Sequence, residues 1–441
     1  LQYTGGGTFF FNLASALLGQ ARGGAAKIGI LSSAFFGMLS GSTVSNVVAI
    51  GSMTIPAMKR TGFSAKYAAA IEACASAGGP ITPPVMGAAA FVMASFLNVP
   101  YIDVCIAAAI PAFLYFLGLF VQVDCFAAKT GLQGLPKDEL PPVWGTLKEG
   151  WYYLGVIVVM TYFLVTLAVE AWAPFYASLA LLILSFFKKE TRLNWPSTVK
   201  ILTDLTGTMV QLVAILAAAG LLIGGLSVTG VALSFSRELV VAVGNNTFLI
   251  LIAGALTSFV LGLGMPTTAC YIFLAVVMVP ALTAVDIYPM AAHLFVFYWG
   301  ALSDITPPTA LCVAAACGIA RSNFMETGWT AMKLGFTKYI VPFFFVYNAA
   351  LLFHGSLWDV FWISSSAAIG IIYLGFAFEG YLWGVGTLPL LSRSLLGVGG
   401  ILSAFPDVTT TLIGIGILLM MHAICLVLAR RKTVAVTKSK V

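Results

Sequence analysis

The chain has 441 residues, 60% of them hydrophobic and only 9% charged, with a mean hydropathy of +1.01. Soluble domains carry roughly 25% charged residues, so the composition excludes an ordinary soluble protein and points to a membrane protein. The formal net charge of +6 is modest, and the basic residues fall in short connecting segments, which fits membrane topology and excludes nucleic acid as the partner. Cys74, Cys105, Cys125, Cys270, Cys312, Cys317 and Cys425 lie mostly inside apolar segments with no CxxC or Cys/His spacing, so they read as small buried residues.

The chain begins Leu1-Gln2-Tyr3, with neither Met nor a signal peptide. Residues 28–58 are apolar except for the centre Ser40-Gly41-Ser42-Thr43-Val44-Ser45-Asn46, with Lys27 at one end and Lys59-Arg60 at the other. Each arm has about 12 residues, too few to cross a hydrocarbon core. A turn facing lipid leaves backbone groups unsatisfied, so the segment reads as a re-entrant hairpin with its polar tip near the midplane. The alternative is one long tilted helix with a Ser/Thr patch, which Gly and β-branched residues at the centre disfavour. A broken helix follows over 65–97. Ala65–Ala77 is its first half, Gly78-Gly79-Pro80 is unwound, Thr82 is the expected N-cap, and Pro83, followed by Pro84, starts the second half.

Apolar runs at 104–123, 151–169 and 173–187 read as further membrane helices. Another, at 207–228, precedes Thr229-Gly230; its counterpart before Thr4-Gly5 would lie upstream of Leu1, so the sequence is expected to be part of a longer protein. A second hairpin is expected over 247–284. Its arms are Thr247–Leu261 and Ala269–Ala284, and its tip is Gly262-Leu263-Gly264-Met265-Pro266-Thr267-Thr268. Its flanks, Asn245, Asn246 and Asp286, include no Lys or Arg. By the positive-inside rule, hairpin 1 then enters from the cytoplasm and hairpin 2 from the opposite side. A second broken helix spans 290–320: Met290–Leu302 leads into Ser303-Asp304-Ile305-Thr306, and Pro307-Pro308 are expected to restart it.

The two halves repeat. Ile-Thr-Pro-Pro occurs at Ile81–Pro84 and again at Ile305–Pro308, an offset of 224, and each copy's first proline lies 27 residues after another proline, Pro56 or Pro280. Paired interrupted segments in a membrane protein mark a transport site. Helix breaks expose carbonyls that suit a desolvated cation and helix N-termini that suit an anion. Of the acids in the apolar region, Asp304 lies within the second break. Glu72 precedes the first break by about two turns and reads either as functional or as a structural pair or interface position. His293, His354 and His422 are scattered, and no Ser/His/Asp, Walker or metal signature appears. After residue 335, helices are expected at about 337–354, 361–383 and 408–429, with Lys333, Lys338 and Arg430-Arg431-Lys432 all cytoplasmic. Three crossings between those charges break the parity, unless one segment does not cross or Leu388–Ala404 adds a crossing. The chain thus divides into repeat 1 (1–125), connecting helices (126–200), repeat 2 (201–335) and a C-terminal extension (336–441).

The run from Ser33 to Asn46, then Ile55-Pro56-Ala57-Met58, Gly78-Gly79-Pro80-Ile81-Thr82-Pro83-Pro84, Gly262–Thr268 and Asp304–Pro308 resemble the large membrane subunit of tripartite ATP-independent periplasmic (TRAP) transporters over about residues 4–335. The Gly-Gly-Pro-Ile-Thr-Pro-Pro wording and the extra C-terminal helices are similar to the fused-permease branch that works with TAXI-type binding proteins. The resemblance implies an all-α polytopic membrane protein with an inverted repeat and an elevator-type mechanism, in the inner (cytoplasmic) membrane of a bacterium or archaeon. It implies no enzymatic activity and no cofactor. The implied partners are an extracytoplasmic solute-binding protein, a small permease subunit or its fused N-terminal equivalent, and the lipid bilayer. The implied cargo is a small organic acid, imported on a cation gradient.

Carried over by position, the resemblance puts one cation site at Ser40, Gly41, Gly78, Gly79 and Thr82, and a second at Gly262, Gly264, Asp304 and Thr306. A carboxylate substrate would lie between the tips at Ser42, Thr43, Asn46, Thr267 and Thr268, with Pro83, Pro84, Pro307 and Pro308 marking the helix breaks. Sodium is the coupling ion implied; Asp304 is an additional acid at the second break and leaves proton coupling open. Two alternatives remain beside this one: a divalent-anion/sodium symporter that needs no binding protein, and, remotely, an intramembrane enzyme, for which no nucleophile, base or metal cluster is present.

Overall fold

In the computed structural model, residues 2–165, 172–185, 193–244 and 246–438 are described. The described chain is almost wholly helical, with a two-stranded ribbon as its one sheet. In order, the helices are α1 (Gly6–Leu18), α2 (Gly24–Ser40), α3 (Thr43–Arg60), α4 (Ala65–Gly78), α5 (Ala88–Leu97), α6 (Tyr101–Thr130), α7 (Val143–Val165), α8 (Ala173–Ser185), α9 (Trp195–Thr229) and α10 (Val231–Val243). Then come α11 (Thr247–Gly262), α12 (Thr267–Val277), α13 (Val279–Thr283), α14 (Pro289–Gly300), α15 (Leu311–Ala320), α16 (Phe324–Leu334), α17 (Phe336–Tyr347), α18 (Leu357–Glu379), α19 (Leu390–Ala404) and α20 (Val408–Lys438). The segments Tyr101–Thr130, Trp195–Leu226, Leu357–Glu379 and Val408–Arg430 are long and apolar enough to cross a membrane. The chain is an all-α polytopic membrane protein.

Two local features shape the first half. The chain turns between α2 and α3 at Gly41, whose φ of 64° favours glycine, and at Ser42, whose hydroxyl caps α3 by accepting from the Ser45 N–H at 3.3 Å. The turn is therefore two residues long, and Thr43 to Asn46 already belong to the first turn of α3. The break after α4 runs through a short 3-10 turn (Gly79–Ile81) and irregular residues to Gly87, so α5 starts only at Ala88. Thr82 is not the N-cap expected of it. Its hydroxyl donates back to the Gly78 carbonyl at 2.6 Å, closing the end of α4. Thr82 is extended there (φ −101°, ψ 118°), as the residue before a proline tends to be. Likewise Pro307 and Pro308 do not restart the second helix, which resumes at Leu311. The Pro83–Pro84 and Pro307–Pro308 peptide bonds are both cis.

The second half repeats the plan. α11 and α12 pack together and on α14, as α2 and α3 pack together and on α4. The second arm of this hairpin is interrupted at Met278, ahead of Pro280, giving α12 and the short α13. Contacts between the halves are reciprocal: α3 packs on α15, and α12 packs on α5. Each hairpin thus covers the second half-helix of the other repeat, the pattern a pseudo-two-fold axis produces. Each first arm also passes its own break at a glycine contact. A Cβ on Gly79 would meet the Gly37 backbone at 2.6 Å, and one on Gly262 would meet the Gly300 carbonyl oxygen at 2.8 Å.

After the repeats, α18 packs on α6 and α19, and α19 on α20. α18 stops at Glu379 because Gly380 takes a φ of 67°, and the ribbon follows, with β1 (Tyr381–Leu382) pairing antiparallel to β2 (Gly386–Thr387). The stretch the sequence left open, near 388–404, is the 15-residue helix α19, about 22 Å long and too short to cross by itself. The end of the expected 151–169 helix lies outside the described residues. On the side of hairpin 1's basic ends, Asp124 of α6 accepts from Arg22, from Lys27 at 2.7 Å and from the Trp383 indole at 2.9 Å. Glu379 pairs with Lys333 at 2.7 Å and accepts from the Tyr67 hydroxyl at 3.0 Å.

Because the Gly79–Gly37 approach is backbone against backbone, neither side has a flexible atom to yield. Gly79→Ala should cost about 1–3 kcal/mol by overpacking and lower the thermal midpoint of the detergent-purified protein. Gly207→Ala, facing open space on α9, should leave the midpoint unchanged or raise it slightly.

Candidate functional site

A cavity of about 360 Å³ lies where the two hairpin tips meet. It is lined by Ser40, Gly41, Ser42 and Thr43 from hairpin 1, by Pro266, Thr267 and Thr268 from hairpin 2, by Asp304 from the second break, and by Thr208 and Gln211 from α9. Four of the five residues expected around a substrate are among them. The first residues of α5 (Ala88) and α15 (Leu311) also line it. Four helices, α3, α5, α12 and α15, therefore begin at one cavity. Thr43 and Thr267, the first residues of α3 and α12, are 224 positions apart, as the repeat requires. No side chain caps α5, α12 or α15. The first N–H groups of a helix have no partner within it, so the cavity presents backbone donors backed by converging positive dipole ends.

Asp304 is the acidic counterweight. Asp304 is 2% exposed, and its carboxylate accepts from the Thr267 hydroxyl at 3.1 Å. Thr43, the counterpart of Thr267 in the first hairpin, lines the same cavity.

The remaining expected residues lie away from the lining. Gly78, Gly79 and Thr82 form the first break, with Thr82 occupied on Gly78. Thr306 pairs with the Tyr339 hydroxyl at 2.6 Å. Gly262 takes up the close approach to α14, and Gly264 supplies a turn with φ 76°. Asn46 is fully buried at the base of the tip, outside the cavity where the resemblance put it. Its amide donates to the Ser33 carbonyl at 2.8 Å, and its Oδ1 has no partner. It sits in the first turn of α3, directed against Gly37 and the first break.

Glu72, which the sequence left between two roles, is a structural hub. It is 0% exposed and accepts from Ser33 of α2 at 2.5 Å, Thr54 of α3 at 2.5 Å and Ser76 of α4 at 3.2 Å. Sequence reasoning did not reach Thr208 and Gln211 of the lining, and it misplaced one lysine. Lys338, expected on the cytoplasmic surface, is 0% exposed, and its ammonium donates to the Ala77 carbonyl at 3.1 Å and the Ala301 carbonyl at 3.2 Å. The available signal was its place inside an apolar run, between Phe336-Thr337 and Tyr339-Ile340-Val341.

A membrane protein whose two broken helices and two hairpin tips meet at a cavity bordered by hydroxyls and a carboxylate has the architecture of a secondary transporter. The comparison with known proteins makes this specific: residues 1–359 match the family model of the tripartite ATP-independent periplasmic transporter, DctM component, and the chain belongs to that family. It is 24% identical over 330 residues to the isethionate TRAP transporter permease protein DctMQ of Oleidesulfovibrio alaskensis, covering 73% of this chain and 51% of that one. It is 25% identical to the C4-dicarboxylate TRAP transporter large permease protein DctM of Pseudomonas aeruginosa, over 74% of this chain and 73% of the other. To the sialic acid TRAP transporter large permease protein SiaM of Vibrio cholerae it is 22% identical, over 78% of each. The chain spans about half the length of the Oleidesulfovibrio relative. It is a TRAP transporter membrane component and not an enzyme.

The Glu72 hub yields a stability prediction. Thr54→Val and Ser33→Ala each remove one donor from a buried carboxylate, at a cost of about 1–3 kcal/mol apiece. Thermal unfolding in detergent should show both losses. Ser95→Ala, whose exposed hydroxyl serves only its own helix at the Phe91 carbonyl, should be neutral.

Proposed function

We propose that this chain imports a small organic anion, a carboxylate, handed to it by an extracytoplasmic binding protein, using a cation gradient across the inner membrane. The observation that carries this reading is the convergence of four helix N-termini on one cavity. Such a cavity favours an anion, and Ser42, Thr43, Thr267 and Thr268 add hydroxyls that accommodate a carboxylate. Isethionate, the C4-dicarboxylates and sialic acid, named for the relatives, are all organic acids.

Sodium is the proposed coupling ion. The carbonyls and hydroxyls of Ser40, Gly41, Gly78, Gly79 and Thr82 would serve one ion, and those of Gly262, Gly264, Asp304 and Thr306 the other. The unpartnered Asn46 Oδ1 supports adding it to the first set, in place of a substrate contact. A cation next to Asp304 would screen it from an incoming carboxylate, which links ion binding to substrate binding. Opposite charge flanks and reciprocal packing support an inverted relation between the repeats. A small permease subunit, separate or fused upstream as in the DctMQ relative, is the proposed membrane partner.

In proteoliposomes, uptake of a radiolabelled C4-dicarboxylate or other organic acid should require the binding protein and an inward sodium gradient, and should ignore ATP. Uptake without the binding protein would favour a self-sufficient symporter; uptake on ATP with the gradient collapsed would refute the reading. Thr43→Ala and Thr267→Ala should each raise the sodium concentration for half-maximal uptake by about tenfold, the equivalent of one hydrogen bond of ~1.4 kcal/mol. Asp304→Asn separates the ions: if sodium dependence survives while a pH dependence disappears, the coupling ion at the second break is a proton.

A further inference from the structure

Ala77 and Ala301, the two carbonyls that hold Lys338, are 224 residues apart and so occupy equivalent places in the two repeats. Ala77 is the penultimate residue of α4, and Ala301 immediately follows α14. Both carbonyls therefore lie at helix C-terminal ends, where unpaired acceptors and negative dipole ends accumulate. One ammonium joins equivalent atoms of both repeats, which places it on the pseudo-two-fold axis. It enters from α17, outside both broken helices. Asp304, the buried acid of the second break, lies near enough to act on it electrostatically.

A point on such an axis, facing two helix C-termini and an acid in a region closed to water, is where a small free cation would bind. We propose that Lys338 is a tethered cation. Its ammonium permanently fills a cation position shared by the two helix breaks, fastens the breaks to each other, and spares the transporter one freely exchanging ion. The proposal rests on the assignment of the breaks and tips as the transport site. It adds that the positive charge at their centre belongs to the polypeptide.

Several features separate this from incidental packing. An ammonium taken out of water is costly unless its donors are satisfied, and Lys338 spends two of its three on the two breaks. A packing role would be met by an apolar side chain, as at most other buried positions of this core. Moreover, no segment other than α4 and the turn after α14 provides an acceptor to this ammonium among the described contacts.

The test is chemical rescue. The full chain is purified in detergent as wild type, Lys338→Met and Lys338→Ala. Thermal midpoints are then measured in n-propylammonium, sodium and choline chlorides at constant ionic strength. Lys338→Ala removes the atoms of a propylammonium ion, so that ion should restore most of the lost midpoint in a saturable way, as mass action requires. Sodium should restore part of it and choline none. Wild type and Lys338→Met should not respond to propylammonium, and Lys338→Met should remain below wild type in every salt. A wild-type midpoint in Lys338→Met, or equal responses of Lys338→Ala to propylammonium and choline, overturns the proposal.

If neither variant folds, native reductive methylation of the wild type, read by mass spectrometry, decides. Lys338 should stay unmodified while the exposed Lys66 is labelled, and labelling of both at one rate overturns the tether. Parallel sodium titrations of Thr43→Ala and Thr267→Ala keep the two readings apart. Rescue at Lys338 with unchanged threonine variants discards the site assignment alone; shifted threonine variants without rescue discard the tether alone.

Discussion

Everything in this structure follows from one requirement: a backbone that stops being helical inside a hydrocarbon layer must find partners for the N–H and C=O groups it releases. One proline-marked break and one hairpin tip release such groups in each half. The structure satisfies them locally and at long range. Thr82 returns to Gly78, and Tyr115 of α6 donates to the Cys74 carbonyl in the last turn of α4 at 2.6 Å. Lys338 takes one carbonyl from each break. The groups left over, the N-terminal donors of α5, α12 and α15, all face one cavity. The cavity collects the remainder of that backbone accounting.

Glycine makes the arrangement compact. At Gly37 against Gly79, and at Gly262 against Gly300, backbone meets backbone with no side chain between. This close approach allows a tip and a break, distant in sequence, to act as one wall. Glu72 then fixes α2, α3 and α4 through three hydroxyls, so the first hairpin is held at its shaft while its tip borders open space.

Much of this was legible in the sequence because breaks and repeats are written in residues with few alternatives. The duplicated Ile-Thr-Pro-Pro located both interruptions, and Gly41 and Gly264 marked both turns. What could not be read was the fine partition of each break. Proline announces that a helix stops, but where it resumes depended on packing: α5 and α15 restart four and three residues beyond the second proline of their breaks. Thr82 looked like an N-cap because of its neighbours and became a C-terminal closure because its hydroxyl had a carbonyl nearer at hand. Lys338 was misassigned for a related reason. Charge bias along a sequence reports topology only for side chains that reach water, and a lysine whose acceptors lie 261 and 37 residues away carries no local mark of them. Asn46 was drawn into the cavity by proximity to the tip, whereas the helical turn points it inward to Ser33.

The reciprocal packing of α3 on α15 and α12 on α5 bears on how the protein is made. The ribosome delivers the first hairpin long before the helix that covers it; the Lys59 side chain ends on the Ala320 carbonyl, 261 residues later. At roughly 5–20 residues per second, hairpin 1 waits on the order of 10–50 s with a polar tip and without its α15 cover. During that interval the insertion machinery, or a lipid-facing chaperone, must shelter a structure that is neither a finished span nor a loop. Biogenesis of this chain is therefore closed by its second half, and a nascent chain arrested before residue 311 holds a hairpin that still lacks its α15 cover.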